Sequence, residues 1–217
     1  MDASSGKRVY RDLQQHIEEL KARDLLYVVD EPVNKDTEMS ALVRWQFRGG
    51  LREDQRKAFL FTNPTDSKGR QYDIPVVIGA LAANQDIYAT GMDTTVDGIA
   101  AKWSHAIANP VPPRVVEDAP CHDVVIDGED LLAEDGGLVR LPVPLSTPGF
   151  DSTPTLAATN VITKNPDTGT QNMGTYRAGL KSSDRLVVRM ATRVGGAEGY
   201  MHWKTHKARG EKLPCAI

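Results

Sequence analysis

Between Pro110 and Cys121 the chain reads PVPPRVVEDAPC, and no other stretch limits the fold so strongly. Four of its twelve residues are proline. Proline fixes φ at about −65° and has no N–H to donate, so neither a helix interior nor a paired strand can run through this segment. It reads as a connector, and its two flanks differ in texture. We therefore expect an α+β chain of two domains, an N-terminal α/β domain over 1–112 and a mainly β domain over 113–217.

The first region alternates periods. Tyr10, Leu13, Ile17 and Leu20 recur at spacings of three and four, which predicts an amphipathic helix. LLYVV (25–29), AFLF (58–61) and IPVVIG (74–79) are short apolar runs and predict strands. A second helix is expected from Asp36-Thr37-Glu38, capping residues ahead of an apolar face of Met39, Leu42, Val43 and Phe47. Ile99, Trp103 and Ile107, four apart, predict a third helix with one apolar face.

Beyond the connector, strand character is seen in VVI (124–126), GLVRLPVP (137–144), TLAATNVIT (155–163), QNMGTYRAGL (171–180) and RLVVRMA (185–191). Asn165-Pro166-Asp167-Thr168-Gly169 has the chemistry of a tight turn, with Pro pre-set for a type I geometry and Gly at the left-handed position. Residues 155–180 should then form a hairpin. A helix is expected from Ala197 to Arg209, stopped by Gly210. The closing LPCAI is apolar and reads as the start of a strand.

Charge and composition exclude several function classes. Lys and Arg number 26 against 29 Asp and Glu, a net charge of −3, so there is no global positive field for nucleic acid or an anionic membrane. No run approaches the roughly 18–20 apolar residues of a membrane span. Two cysteines, Cys121 and Cys215, and an opening MDASSGKRVYRDL without an apolar core point to the cytoplasm. GxSxG, GxGxxG and GxxxxGK[ST] are all missing, so neither a serine hydrolase nor a common nucleotide loop is supported.

One cluster could carry chemistry: Asn172, Arg177, Lys181, Arg185, Arg189 and Arg193. From 177 to 193 a basic residue falls at every fourth position, and even spacing keeps side chains on one face within each strand. Such a face could clamp a phosphate through the planar guanidinium fork, or it could be a plain solvated basic face. Gly195-Gly196 could bring backbone N–H groups to an anion, or form an ordinary loop. His202 and His206 share one side of the last helix, but HWKTH lacks the glutamate of a zinc-protease motif, and the pair reads as surface histidines.

TNVITKNPDTGTQNMGTYR (159–177), DRLVVRMATRVGGAEGYMHW (184–203), PLSTPG (144–149) and CHDVVIDGEDL (121–131) together resemble the UbiD family of prenylated-FMN-dependent decarboxylases. The resemblance spans most of 115–217, and the family's N-x-G-x-Y-R signature stands here as Asn172, Gly174, Tyr176 and Arg177. It implies that 113–217 begins a split β-barrel of flavin-reductase type, followed in the family by an oligomerising domain. It implies a reversible, non-oxidative carboxy-lyase acting on an aromatic or α,β-unsaturated carboxylic acid. The cofactors would be prenylated FMN, made by a flavin prenyltransferase, and Mn²⁺ with K⁺ nearby; homo-oligomerisation or a complementary subunit is expected.

Carried over residue by residue, Asn172 would be a metal ligand, offering an amide oxygen to a hard cation. Thr175, Tyr176, Arg177, Arg189, Met190, Ala191, Arg193, Val194 and Gly195 would contact the flavin. Arg177 would also be catalytic, orienting the substrate acid. The hard chemistry belongs to the cofactor. Where many members read S-H-R-G-G, this chain reads Thr192-Arg193-Val194-Gly195-Gly196. A permanently protonated arginine cannot bind a metal, so either the cation is held differently, with His202 a candidate, or Arg193 meets the phosphate directly. GFDSTPTLA (149–157) replaces a more glycine-rich stretch, which points to a different pocket shape. Family members are about twice as long or more, and their second acidic metal ligand and acid/base lie in the additional part; Glu198 has no matching role. The chain is thus expected to be an N-terminal portion or one half of a split enzyme, inactive by itself. The alternatives are a non-catalytic subunit of such a complex and a plain FMN-binding flavin reductase.

Overall fold

A computed structural model describes residues 12–192 and 196–217, and the chain divides into two compact units that part between Val125 and Ile126. In the first unit, helix α1 (Leu13–Ala22) starts where the Asp12 carboxylate accepts the Gln15 N–H at 2.9 Å. It buries His16 and Leu20. Strand β1 (Leu26–Val29) follows, then the short β2 (Val33–Asn34), helix α2 (Met39–Arg48), β3 (Ala58–Phe61), β4 (Pro64–Thr65) and β5 (Val76–Ile78). β1 and β3 pair in parallel from Leu26↔Ala58 to Val29↔Phe61, and β5 lies antiparallel on the other side of β3. β2 and β4 form a separate parallel pair.

The alternation of side chains along β3 explains why this sheet has two cores. Ala58 packs with Leu20, Leu26, Ala80, Ala83 and Ile87, and Leu60 lies against the same cluster. Phe61 faces the other way, with Val33, Met39 and Val43, and Phe59 packs there too. Helix α3 (Gln85–Gly91) is opened by the Asn84 side chain, which accepts the Ile87 N–H at 2.7 Å.

Three details of this unit differ from the sequence expectation. Helix α2 is capped further back: Asn34 Oδ1 accepts the N–H groups of Asp36 and Thr37, while Glu38, at the cap position itself, makes no side-chain cap. Its buried face is Met39, Val43 and Gln46, whereas Leu42 and Phe47 are 40% and 42% exposed. Gln46 goes inward because its amide answers both backbone groups of Lys57, accepting from N at 3.0 Å and donating to O at 2.9 Å. Helix α4 (Ile99–Ala108) forms where expected, but none of its residues is buried and Ile107 is 74% exposed. Trp103 instead donates its indole N–H to the Tyr88 hydroxyl at 2.7 Å.

The second unit holds helix α5 (Gly128–Leu132), the antiparallel meander β6 (Thr155–Lys164), β7 (Gln171–Ser182) and β8 (Arg185–Arg189), and helix α6 (Glu198–Ala208). The β6–β7 hairpin closes on the expected turn: Asn165 Oδ1 accepts from the N–H groups of Asp167 and Thr168, and Gly169 has φ +72°. Two expected strands do not form. VVI (124–126) has no strand partner, with Val124 and Val125 more than 70% exposed, and GLVRLPVP (137–144) opens as a 3-10 turn over Gly137–Arg140. Pro142 and Pro144 deny that run the N–H groups a ladder needs. At the chain's end, Ala216 pairs with Ile162 on β6 through two backbone hydrogen bonds of 2.8 and 3.1 Å. The fold is mixed α/β; among the described residues the second sheet has three strands and does not close into a barrel. No described helix is long and apolar enough to cross a membrane.

Candidate functional site

Strand β7 carries the N-x-G-x-Y-R signature, and its alternation sends the six residues to two faces. Asn172, Gly174 and Tyr176 lie on the face covered by α6. Gly174 has to be glycine: a Cβ there would come within 2.3 Å of the Tyr176 hydroxyl and 2.4 Å of Cζ. The ring lies across Gly174 and reaches α6, where the hydroxyl accepts the Gly199 N–H at 3.2 Å. That N–H is one of the first-turn donors a helix leaves unpaired, so Tyr176 caps α6. Met190 packs here as well, its sulfur beside Gly199.

Further along the same face is a buried polar group that sequence reasoning missed. Thr163 is the register partner of Asn172 and is 1% exposed. Its hydroxyl shares a 2.9 Å hydrogen bond with Nδ1 of His202. His202 is therefore not a surface histidine; it is 3% exposed, because α6 lays that side on the sheet. His206 keeps to the edge, where Nδ1 meets Glu211 at 3.0 Å. Nε2 of His202 and Nδ2 of Asn172 are both buried without a hydrogen bond, and Glu198 Oε1 is 3.7 Å from His202 Nε2.

The opposite face is open. Thr175, Arg177 and Arg189 lie on it, and Arg177 and Arg189 are register partners. Like charges directly opposite repel, yet only one is neutralised. Nη2 of Arg177 donates to both carboxylate oxygens of Asp151, each at 2.8 Å. Arg189 has no hydrogen bond or ion pair among the described residues. The Thr175 hydroxyl donates to Asn160 Oδ1 at 3.2 Å on the neighbouring strand. The row of basic residues does not continue unbroken, because an irregularity between Leu180 and Ser182 skips Lys181 in the register and sets Arg185, still on the Arg189 side of β8, opposite Ser182. There it sits 3.6 Å from Asp184.

The structure thus brings Thr175, Arg177 and Arg189 together and sets Asn172, Tyr176 and Met190 behind the sheet. Ala191 lies just past β8, its carbonyl accepting the Ala197 N–H at 2.7 Å. Arg193, Val194 and Gly195 lie outside the described residues, and so does the first half of the glycine pair expected to meet an anion; Gly196 is described, with φ +72°. For a flavin mononucleotide the open face fits: it presents two guanidiniums, one without a partner among the described residues, beside a hydroxyl. For a divalent cation the described residues do not fit by themselves. They gather no three His, Cys, Asp or Glu side chains, leaving Asn172 as a single amide donor.

Comparison with known proteins agrees along nearly the whole chain. Residues 17–107 match the UbiD family's 3-octaprenyl-4-hydroxybenzoate carboxy-lyase N-terminal domain, and 114–217 match its Rift-related domain. Among solved structures, an evolved dimeric form of the UbiD-class enzyme HmfF from Pelotomaculum thermopropionicum, in complex with prFMN, is 25% identical with a TM-score of 0.72. The alignment covers 95% of this chain and 43% of that one. HmfF in complex with FMN is 26% identical over 93% of this chain and 40% of that one, with a TM-score of 0.69. The apo 3,4-dihydroxybenzoic acid decarboxylase from Enterobacter cloacae is 25% identical with a TM-score of 0.77, covering 95% of this chain and 41% of that one. This chain therefore spans about two fifths of the length of the structures it matches.

Proposed function

This chain belongs to the UbiD family, corresponding to its N-terminal portion, and from that premise we propose that it supplies the flavin- and acid-binding surface of a prenylated-FMN-dependent decarboxylase. The substrate is an aromatic or α,β-unsaturated carboxylic acid, and the overall reaction is its reversible, non-oxidative loss of CO2. The observation that carries this reading is the pair Arg177 and Arg189 facing each other on the open side of the meander. Arg189, with no partner among the described residues, is suited to the cofactor's phosphate; Arg177, which spends only Nη2 on Asp151, has Nε and Nη1 left for the substrate acid.

The bound flavin supplies the electron sink for decarboxylation. The chain's own residues do the positioning. Thr175 borders the two guanidiniums, and Arg177 holds the carboxylate in a fixed orientation, a contribution that counts because it removes rotational freedom before reaction. Tyr176 and Gly174 act behind the sheet, tying α6 to the strand that bears Arg177. Residues 113–217 begin the split barrel, whose closure needs strands beyond those described. Asn172, on the α6 side of the sheet, is a single amide oxygen without companion carboxylate or histidine ligands for Mn²⁺ gathered among the described residues. A second reading, a non-catalytic subunit that keeps the fold, is favoured by Thr192-Arg193-Val194 standing where many members carry a histidine ligand.

The test is CO2 release from a panel of aromatic and unsaturated acids. The chain is assayed with its native accompanying polypeptides, from cells that also make prenylated FMN. We expect turnover that Arg177→Ala abolishes. Turnover unchanged by Arg177→Ala would remove the decarboxylase role from this face and leave the subunit reading.

A further inference from the structure

The segment 146–155 is tied to the meander at its C-terminal end and to the chain just ahead of it. Thr153 donates its hydroxyl to Leu180 O at 2.5 Å, Leu180 N–H donates to Pro154 O at 2.9 Å, and Thr155 N–H donates to Pro144 O at 3.1 Å. Its turn is closed by Thr147 O, which accepts from the N–H groups of Phe150 and Asp151 at 3.0 and 2.9 Å. The fixed element therefore carries Asp151, and Asp151 is also the more buried partner of its ion pair: its side chain is 15% exposed against 45% for Arg177.

That asymmetry decides what the pair does. A mostly buried carboxylate stripped of its cation would be left unpaired at high cost, so an incoming acid does not displace Asp151. Arg177 is the more exposed member, a long side chain whose far end is gripped. Both of Asp151's hydrogen bonds come from Nη2 alone, which tethers that end of the guanidinium and leaves Nε and Nη1 unused by Asp151. The same carboxylate offsets one of the two like charges that β7 and β8 place opposite each other.

We propose that Asp151 is a positioning residue: it aims Arg177, so that the unspent edge of the guanidinium stands ready for a carboxylate on the open face. The proposal deepens the reading above and rests on it, since it takes Arg177 to be the acid-binding residue. Asp151 does not touch the substrate. Its effect is on how well ordered Arg177 is before the acid arrives, and therefore on acid affinity.

The experiment is arginine side-chain NMR on the 217-residue chain, with benzoate as the probe acid. In the unsubstituted chain the Arg177 guanidinium protons should show hindered rotation, and benzoate should shift the Arg177 Nε–H signal to saturation. Asp151→Asn, which keeps the shape, should free the rotation and weaken benzoate about tenfold, the equivalent of about 1.4 kcal/mol. Asp151→Glu, which keeps the charge, should restore most of both. Backbone amide signals of α6 should stay in place, which a merely structural loss would not allow.

If Arg177→Ala abolishes the benzoate response while Asp151→Asn changes neither rotation nor affinity, the positioning role is overturned and Arg177's own role stands. If Asp151→Asn tightens benzoate, Asp151 is a competing internal ligand and the proposal is again overturned. If the unsubstituted chain gives no benzoate response, or Arg177→Ala leaves it intact, the acid-binding reading fails and takes the proposal with it.

Discussion

Replacing Gly174 by alanine tests whether the signature glycine exists for Tyr176. The new Cβ would stand 2.3 Å from the hydroxyl and 2.4 and 2.7 Å from two ring carbons, far inside van der Waals contact. The ring has to swing away, which breaks the hydrogen bond from Gly199 N–H, worth about 1 kcal/mol. Lifting a half-buried tyrosine from its seat re-exposes on the order of 100 Å², or about 2.5 kcal/mol at roughly 25 cal/mol per Å². Against this, alanine recovers about 0.4–1 kcal/mol by restricting the unfolded chain. The net cost is about 3 kcal/mol. For a unit the size of Ile126–Ile217 that lowers the melting temperature on the order of 10–20 °C. Calorimetry and urea titration read the loss, and the control is the same change in a Tyr176→Leu background, where alanine should cost almost nothing. A cost below about 1 kcal/mol in the unsubstituted chain, or an equal cost in both backgrounds, would refute the argument.

Other expectations follow from the same geometry. Gln46→Leu removes both hydrogen bonds to the Lys57 backbone and should destabilise the first unit by about 2–3 kcal/mol in urea titration, while Leu42→Ser, on the exposed side of α2, should stay within about 0.5 kcal/mol. Thr163→Val leaves His202 Nδ1 without its hydrogen bond and should cost about 1–3 kcal/mol, with Thr163→Ser keeping most of the stability. Burial, then the bond to Asp66, pushes the Tyr72 phenol up to about 12, so its contribution is complete below its ordinary value of 10.0 and disappears as pH rises through about 12; Tyr72→Phe should flatten that alkaline loss in pH-dependent melting. Although burial opposes it, the N–H groups of Arg70 and Lys68 and the Tyr72 hydroxyl hold the Asp66 carboxyl below its ordinary range, so its contribution is lost only as pH falls through that lowered value. Arg189→Ala should weaken FMN binding by about 1.5–3 kcal/mol in fluorescence titration of the assembled protein, and an unchanged affinity would place the phosphate elsewhere.

The hairpin was legible because its turn states its own geometry: Asn165 closes it from one end and Gly169 from the other. Strands β1 and β3 were legible as two apolar runs with a helix between them, whereas their parallel pairing came only with the structure. What escaped the sequence depends on partners distant along the chain. Gln46 was no part of the expected apolar face of α2, but the backbone of Lys57, just ahead of β3, takes its amide. His202 looked exposed because α6 has no strong apolar stripe; it is buried because Gly199 lets the helix come close to Tyr176 and Thr163. The four-residue basic spacing promised a continuous clamp, and one irregularity between Leu180 and Ser182 took Lys181 out of register with Arg185. Asp151 could not be paired with Arg177 from spacing at all, since 26 residues and two chain reversals separate them.

The most direct test of the central claim, that this chain forms the flavin-bearing surface of a larger decarboxylase, is its native mass after purification from its own host supplied with prenylated FMN. The account predicts a species heavier than the 23.8 kDa of one chain, carrying flavin and losing it in the Arg189→Ala variant. A flavin-free species of 23.8 kDa would contradict it.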